Sequence, residues 1–262
     1  MTEDSSLRVS VATLNRIILA HPKSENKMLA LERKATVSKD RSVRIRAQPF
    51  GGGVRILDQA HLQTIIGQVR FDSERSEREA DFRILISPSK WELVRQYSLR
   101  HLADANDMEL ESLPHRELVE EFAETLGVGL QPHQYTFRPT GFVIENQPVP
   151  TDNVNVQRRP TVRVYRTFEV EIIDTALCRT MLSANQLYSD EELARLALGD
   201  SRNGGRGRAN SILILPLNLV LESYLALPLD LRHQKIVIEN HKIDESVLAI
   251  LSEVDVPEYE RA

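Results

Sequence analysis

Between Pro114 and Gly127 the chain reads as a helix with one face made almost wholly of carboxylates. Pro114 is tolerated in a first helical turn, and Gly127 suits a C-terminal cap. At about 100° per residue, Glu117, Glu120, Glu121 and Glu124 fall within an arc of roughly 100°. Leu118, Val119, Phe122, Ala123 and Leu126 take the opposite side. Like charges three and four residues apart disfavour a helix by about 0.2–0.5 kcal/mol each, and Arg116, four residues before Glu120, is the local compensation. Two readings are open from these residues. One is an acidic solvent face near a helix N-terminus, where negative charge suits the dipole. The other is a seat for a hard cation such as Mg²⁺ or Mn²⁺, which seeks oxygen ligands and turns the repulsion into attraction.

The surroundings of this helix predict a mixed α+β fold. Residues 7–19, 27–34 and 42–48 read as strands, the last with Val43, Ile45 and Ala47 in one phase. They lead into Pro49-Phe50-Gly51-Gly52-Gly53, which the reading takes as a sharp turn or a close approach to a ligand, because three glycines do not suit an element interior. A strand is expected at 82–86 and a helix from Ser87-Pro88-Ser89 through Trp91, Leu93, Val94 and Tyr97. Residues 131–160 read as a proline-punctuated loop, and 161–173 as a long strand with Val162, Val164, Phe168, Val170 and Ile172 in phase, broken by Arg166. Ser189-Asp190-Glu191-Glu192 opens a further helix with a capping box. An apolar run at 211–215 and a helix near 217–227 follow.

Bulk properties narrow the classes of function. A formal net charge of -5 gives no general attraction to nucleic acid or to an anionic membrane. The single Cys178 excludes an intrachain disulfide and a cysteine-built metal site. The polar start, Met-Thr-Glu-Asp-Ser-Ser, is followed by no signal-peptide core, and no run approaches a membrane span of roughly 20 apolar residues, so a cytoplasmic protein is expected. The seven histidines show no i,i+4 pair, and no serine stands in a Gly-x-Ser-x-Gly turn, so neither zinc nor serine-hydrolase chemistry is supported.

The order of features resembles the Nudix hydrolases. Arg116-Glu117-Leu118-Val119-Glu120-Glu121 matches the Arg-Glu-apolar-x-Glu-Glu heart of that family's motif. Met28–Arg33 is similar to the strand before the family's glycine turn, and Pro49–Gly53 to the turn itself with one residue inserted. Residues 212–216 followed by 217–227 resemble its late strand and closing helix. The chain departs from the pattern in three places. Residues 54–115 separate the glycines from the motif, the early Gly-x5-Glu portion is missing (Glu109 and Glu111 lie nearby but out of register), and Phe122-Ala123 follows Glu121.

The resemblance implies an α/β/α sandwich, a Nudix-like mixed sheet flanked by helices with an inserted subdomain. Its divisions are 1–53, an insertion at 54–113, the remainder at 114–230 and a C-terminal extension at 231–262. It also implies Mg²⁺- or Mn²⁺-dependent attack of water on a nucleoside diphosphate linked to another group. Arg116 would orient the glutamates, Glu117 and Glu120 would serve catalysis, and Glu117, Glu120 and Glu121 would hold metal. Glu124 joins them on helical geometry. Gly51, Gly52 and Gly53 would let backbone approach the substrate. Conceivable general bases are Glu109, Glu111 and Glu169. Apart from the resemblance, Arg166 either points into a polar cavity or sits at an ion-paired edge. The loop 202–208, with Arg206, either binds phosphates or is simply solvated. The expected partner is a nucleotide-type small molecule, and the insertion offers a surface for a homodimer or protein partner. A Nudix-fold module that binds a nucleotide without turnover is the alternative.

Overall fold

The computed structural model describes residues 6–20, 26–38, 40–111, 113–150, 159–232, 234–251 and 260–261. The acidic C-terminal stretch, expected from its composition and position to fray, falls mostly on 252–259, outside the described residues. The elements in order are β1 (Leu7–Ala20), β2 (Lys27–Val37), β3 (Val43–Gln48), β4 (Phe50–Gly53), α1 (Gln59–Ile66), β5 (Arg70–Phe71), α2 (Glu74–Glu79), β6 (Arg83–Ile86), α3 (Trp91–Leu102) and α4 (His115–Leu126). Then come β7 (Tyr135–Pro150), β8 (Pro160–Ile172), α5 (Thr175–Ala184), α6 (Asp190–Arg202), β9 (Arg208–Pro216), α7 (Leu217–Leu225), β10 (Ile236–Ile238), β11 (His241–Ile243) and a 3₁₀ segment, Glu245–Leu251.

The fold is α+β, a mixed sheet in the order β10-β11-β3-β2-β1-β8-β7 with helices packed on it. Strand β1 is its axis. One edge pairs in parallel with β8 from Arg8↔Thr161 to Leu19↔Ile172. The other edge is shared in turn by β6 (Leu7–Ser10), β4 (Ala12–Asn15) and β2 (Ile17–Ala20), all antiparallel. A strand engaged on both edges and covered on both faces reads as a nearly continuous apolar run, and β1 is buried almost throughout.

Side-chain alternation assigns the two faces. Val9, Val11, Ile17 and Leu19 of β1 point the same way as Val162, Val164, Val170 and Ile172 of β8. Over one half of that face lie Leu62, Ile66, Val94 and Tyr97 of α1 and α3. Over the other half lie Leu118 and Phe122 of α4 and Leu177 and Met181 of α5. Ala12, Leu14 and Ile18 point to the second face, against Val220 and Tyr224 of α7 and Val247–Leu251 of the 3₁₀ segment. Helix, sheet and helix are therefore three layers. Residues 54–113 join the sheet through β6 and share core with β1 and β8. None of the helices in the described residues is long and apolar enough to cross a membrane.

Two expectations need correction. Gly51–Gly53 are not a turn. They form β4, paired Thr13↔Gly52 and Leu14↔Gly51, because the strand lies where other groups press on its backbone and a Cβ would not fit. Much of the expected loop 131–160 is the long strand β7. Its prolines are tolerated because its register against β8 shifts between Pro139 and Gly141 and again between Glu145 and Val149.

Candidate functional site

Helix α4 starts after Pro114 and ends at Gly127, whose left-handed conformation lets its N–H reach the Ala123 carbonyl. Its apolar side seats it. Leu118 and Phe122 are fully buried, and the Phe122 ring lies 5.3 Å from that of Phe50 at the start of β4. Docking places the helix along the edge of β4 that β1 leaves open. There the Gly51 N–H donates to Glu121 Oε2 (2.5 Å), and Arg116 Nη2 donates to the Gly53 carbonyl (3.1 Å).

The three glycines are each explained by what touches them. Gly51 has φ 151°, and a Cβ there would stand 2.1 Å from the Thr13 carbonyl oxygen. A Cβ on Gly52 would stand 1.7 Å from Glu117 Oε2, and one on Gly53 would stand 2.5 Å from Asp81 Oδ1. Gly52 and Gly53 therefore leave room for carboxylates against the backbone, whereas Gly51 is demanded by its own φ and the Thr13 carbonyl.

Arg116 organises the acidic side. Its Nε donates to Glu111 Oε2 (2.6 Å), while its Nη1 lies 2.6 Å from Glu117 Oε1 and 3.5 Å from Glu120 Oε2. Burial works against the guanidinium charge, but the bond to Glu111 and the charges of Glu117, Glu111 and Glu120 outweigh it and hold Arg116 protonated. Glu117 is pushed up by burial, eased by Arg116, and pushed further by Glu120 and Asp81. Asp81 is pushed up by burial, against the pull of Arg83, its ion-pair partner at 3.0 Å.

Glu121 is raised well above the ordinary carboxylate range, first by burial and then by Glu32, while Lys34 and the Gly51 N–H pull the other way. Glu32 itself is fully buried, with Lys34 Nζ at 2.8 Å, Gln48 Nε2 at 3.0 Å and Thr125 Oγ1 at 3.4 Å.

The four helix glutamates do not share one face in practice. The buried stripe centres on Leu118 and Phe122, while Ala123, assigned to the apolar side, is exposed. Glu121 flanks that stripe at about 80° from its centre by the helical period, so packing against β4 turns it inward. Glu120 and Glu124 are exposed, and Glu124 instead contributes charge at Arg208. Among the described residues, no three His, Cys, Asp or Glu side chains stand together as a group that could hold a metal ion. In this conformation Arg116 holds Glu117 and Glu120, and Gly51 holds Glu121. The donor chemistry nevertheless suits a hard cation. Glu117, Glu120 and Glu121 offer carboxylate oxygens, the donors a hard cation takes, and burial and like charge already press on Glu117 and Glu121.

Sequence reasoning did not place Asp81 or Glu32 in this cluster, and it offered Glu111 only as a conceivable general base. Asp81 and Glu111 arrive because the base of segment 54–113 is closed by the bridges Arg55↔Asp81 and Ile56↔Leu110 and by the Glu111 N–H bonded to the Arg55 carbonyl at 2.9 Å. Nothing local marks Asp81. Glu32 did carry a signal, a charge inside an apolar strand run, which is expensive unless partnered. Of the conceivable general bases, Glu111 is bonded to Arg116. Glu109 meets His61 Nδ1 (2.9 Å) and Tyr97 Oη (3.2 Å). Glu169 lies on the α7 face of the sheet between Arg16 (2.6 Å) and Arg138 (3.0 Å).

Arg166 shares a cross-sheet row with Thr13 and Gly52, on the α4 face. Its guanidinium lies over Phe142 (4.4 Å) and Phe168 (5.5 Å), with Nη1 on the Gly141 carbonyl at 3.2 Å, and burial lowers its pKa. Arg166 Nε, Thr13 Oγ1 and Asn15 Oδ1 on this face are buried without a hydrogen-bond partner. Arg206 is exposed, in a turn that closes on Asp200, whose Oδ2 accepts from the N–H groups of Gly207 (2.8 Å) and Arg208 (3.2 Å). Compared with known proteins, the chain matches no family model, no curated protein and no solved structure.

Proposed function

We propose that the chain is a Nudix-type hydrolase that cleaves a phosphoanhydride bond in a nucleoside diphosphate linked to another group, with Mg²⁺ or Mn²⁺ as cofactor. The observation that carries the reading is the docking of Arg116–Glu121 along the open edge of Gly51–Gly53, with carboxylates against glycine backbone. Glu117, Glu120 and Glu121 would hold the metal, with Glu124 one turn further along. When bound, the ion supplies a lowered pKa for water and offsets charge on the pyrophosphate oxygens. Arg116 positions Glu117 and Glu120, and Glu111 positions Arg116. The glycines leave room for substrate phosphates beside the backbone. Arg166 offers a cation in the same row of the sheet. A cytoplasmic location and a nucleotide-type substrate belong to this reading.

A nucleotide sensor without turnover is the second reading. It is favoured by the hold that Arg116 keeps on Glu117 and Glu120. Phosphate and pyrophosphate release from a panel of nucleoside diphosphate derivatives, with and without Mg²⁺ and Mn²⁺, separates the two. The hydrolase requires metal-dependent turnover that falls by about a hundredfold or more in Glu120→Gln and in Glu121→Gln. Tight nucleotide binding with no turnover selects the sensor. If neither metal nor nucleotide shifts the melting temperature, both readings fail.

A further inference from the structure

The other face of β4 borders a cavity of about 360 Å³. Ser10, Ala12 and Leu14 of β1 line it, and these alternate with Val11 and Thr13, which point to the α4 side. Gly51 and Gly52 form part of its wall, so the strand that meets Glu121 and Glu117 on one side meets this cavity on the other.

Arg46 of β3, Arg83 of β6, Arg163 of β8 and Lys235 ahead of β10 line it together with Asp244 and Glu245. Parts of the chain distant in sequence thus bring cationic N–H donors to one cavity. The arginines are held in place by carboxylates: Arg46 by Asp244 (3.2 Å), Arg83 by Asp81 (3.0 Å) and Arg163 by Glu145 (2.6 Å). A guanidinium has five N–H donors and a carboxylate engages at most two of them in a fork, so each retains donors while its position is set. Such a wall disfavours an apolar ligand or a cation, and it suits an anion with several acceptor oxygens. The volume sits low in the range of roughly 300–1,000 Å³ for small-molecule pockets, room for a single phosphorylated sugar or mononucleotide rather than a dinucleotide.

We propose that this cavity binds a sugar phosphate ester, with the phosphate among Arg46, Arg83 and Lys235. The binding stands apart from catalysis.

Calorimetric titration of the full chain in EDTA, with ribose 5-phosphate, AMP, adenosine and inorganic phosphate, tests it. Saturable binding of a phosphorylated probe is expected, with adenosine and inorganic phosphate each about tenfold weaker or worse. Lys235→Gln changes an exposed side chain, so its fold should be retained. It and Arg46→Gln should each weaken binding by about three- to tenfold, while Glu120→Gln should leave it unaltered. Equal binding of AMP and ribose 5-phosphate identifies the sugar phosphate as the ligand, and much tighter AMP identifies a nucleotide; either supports the ester. The proposal is overturned if no phosphorylated probe saturates, if adenosine or inorganic phosphate binds as tightly, or if both lining variants bind like the native chain. Intact binding without metal-dependent turnover on the panel above keeps the cavity and sinks the hydrolase.

Discussion

The two sides of β4 both carry charged side chains, and they hold them differently. On the α4 side, buried carboxylates crowd the glycines, and Glu117 and Glu121 are both pushed above the ordinary carboxylate range. On the cavity side, Arg46, Arg83 and Arg163 each have a carboxylate within ion-pair distance. The first arrangement is costly to the folded protein; the second is compensated by ion pairs. The difference teaches that a four-residue strand can separate two electrostatic environments, provided its residues are small enough for both to reach the backbone.

The comparison can be broken experimentally. The largest effect should come from Gly51→Ala, which puts a Cβ against the Thr13 carbonyl at a backbone angle that alanine resists. We expect a loss of about 3 kcal/mol in urea unfolding. Gly52→Ala should cost less, because the atom in its way is the end of the Glu117 side chain, yet it should displace that carboxylate and impair any metal response. A milder result for Gly51 than for Gly52 would mean that the strand, rather than the acidic side chains, is the adaptable partner.

Next in size is Arg116→Gln. It removes the cation shared by Glu111, Glu117 and Glu120, and it leaves the Gly53 carbonyl without that donor. A destabilisation of about 2 kcal/mol is expected, with part of it recovered on adding Mg²⁺. No recovery would argue that the acidic side is not a cation seat.

Glu121→Gln should act in the opposite direction. The native carboxyl titrates above its ordinary value near 4.5, so the folded chain keeps a proton that the unfolded chain has released. Stability is therefore greatest below the ordinary carboxylate range, falls as pH rises through the folded-state pKa, and stays low above it. The amide removes that loss and keeps an oxygen for the Gly51 N–H. Without metal, the variant should be more stable than the native chain at pH 8 by about 1 kcal/mol, with a flatter pH profile in thermal melts. A less stable variant across the whole range would show that the Glu121 charge is compensated after all. The smallest effect belongs to Lys235→Gln, exposed on the cavity side, which should change stability by less than about 0.5 kcal/mol.

Much of the framework was legible because local patterns were clean. The alternation in β3 and β8, the capping box at Ser189 and the Pro114 and Gly127 boundaries of α4 all lie where short-range chemistry puts them. Strand β7 was obscured by its prolines, which are tolerated only because of bulges that no local pattern reveals. Glu121 was grouped on one face with Glu120 and Glu124 because helical periodicity alone does not say which flank of an apolar stripe will face a neighbour.

The sequence by itself determined an acidic α4, a glycine triplet and a strand over residues 7–19, since each follows from residue spacing and size. Only the tertiary structure decided that Asp81 would reach Gly53, that Glu111 would hold Arg116 and Glu32 would face Glu121, and that cations from distant parts of the chain would line the cavity behind the strand. The physical reason is range. Periodicity sets which way a side chain points from its own element, whereas its neighbours are set by which strands pair, and three different strands compete for one edge of β1.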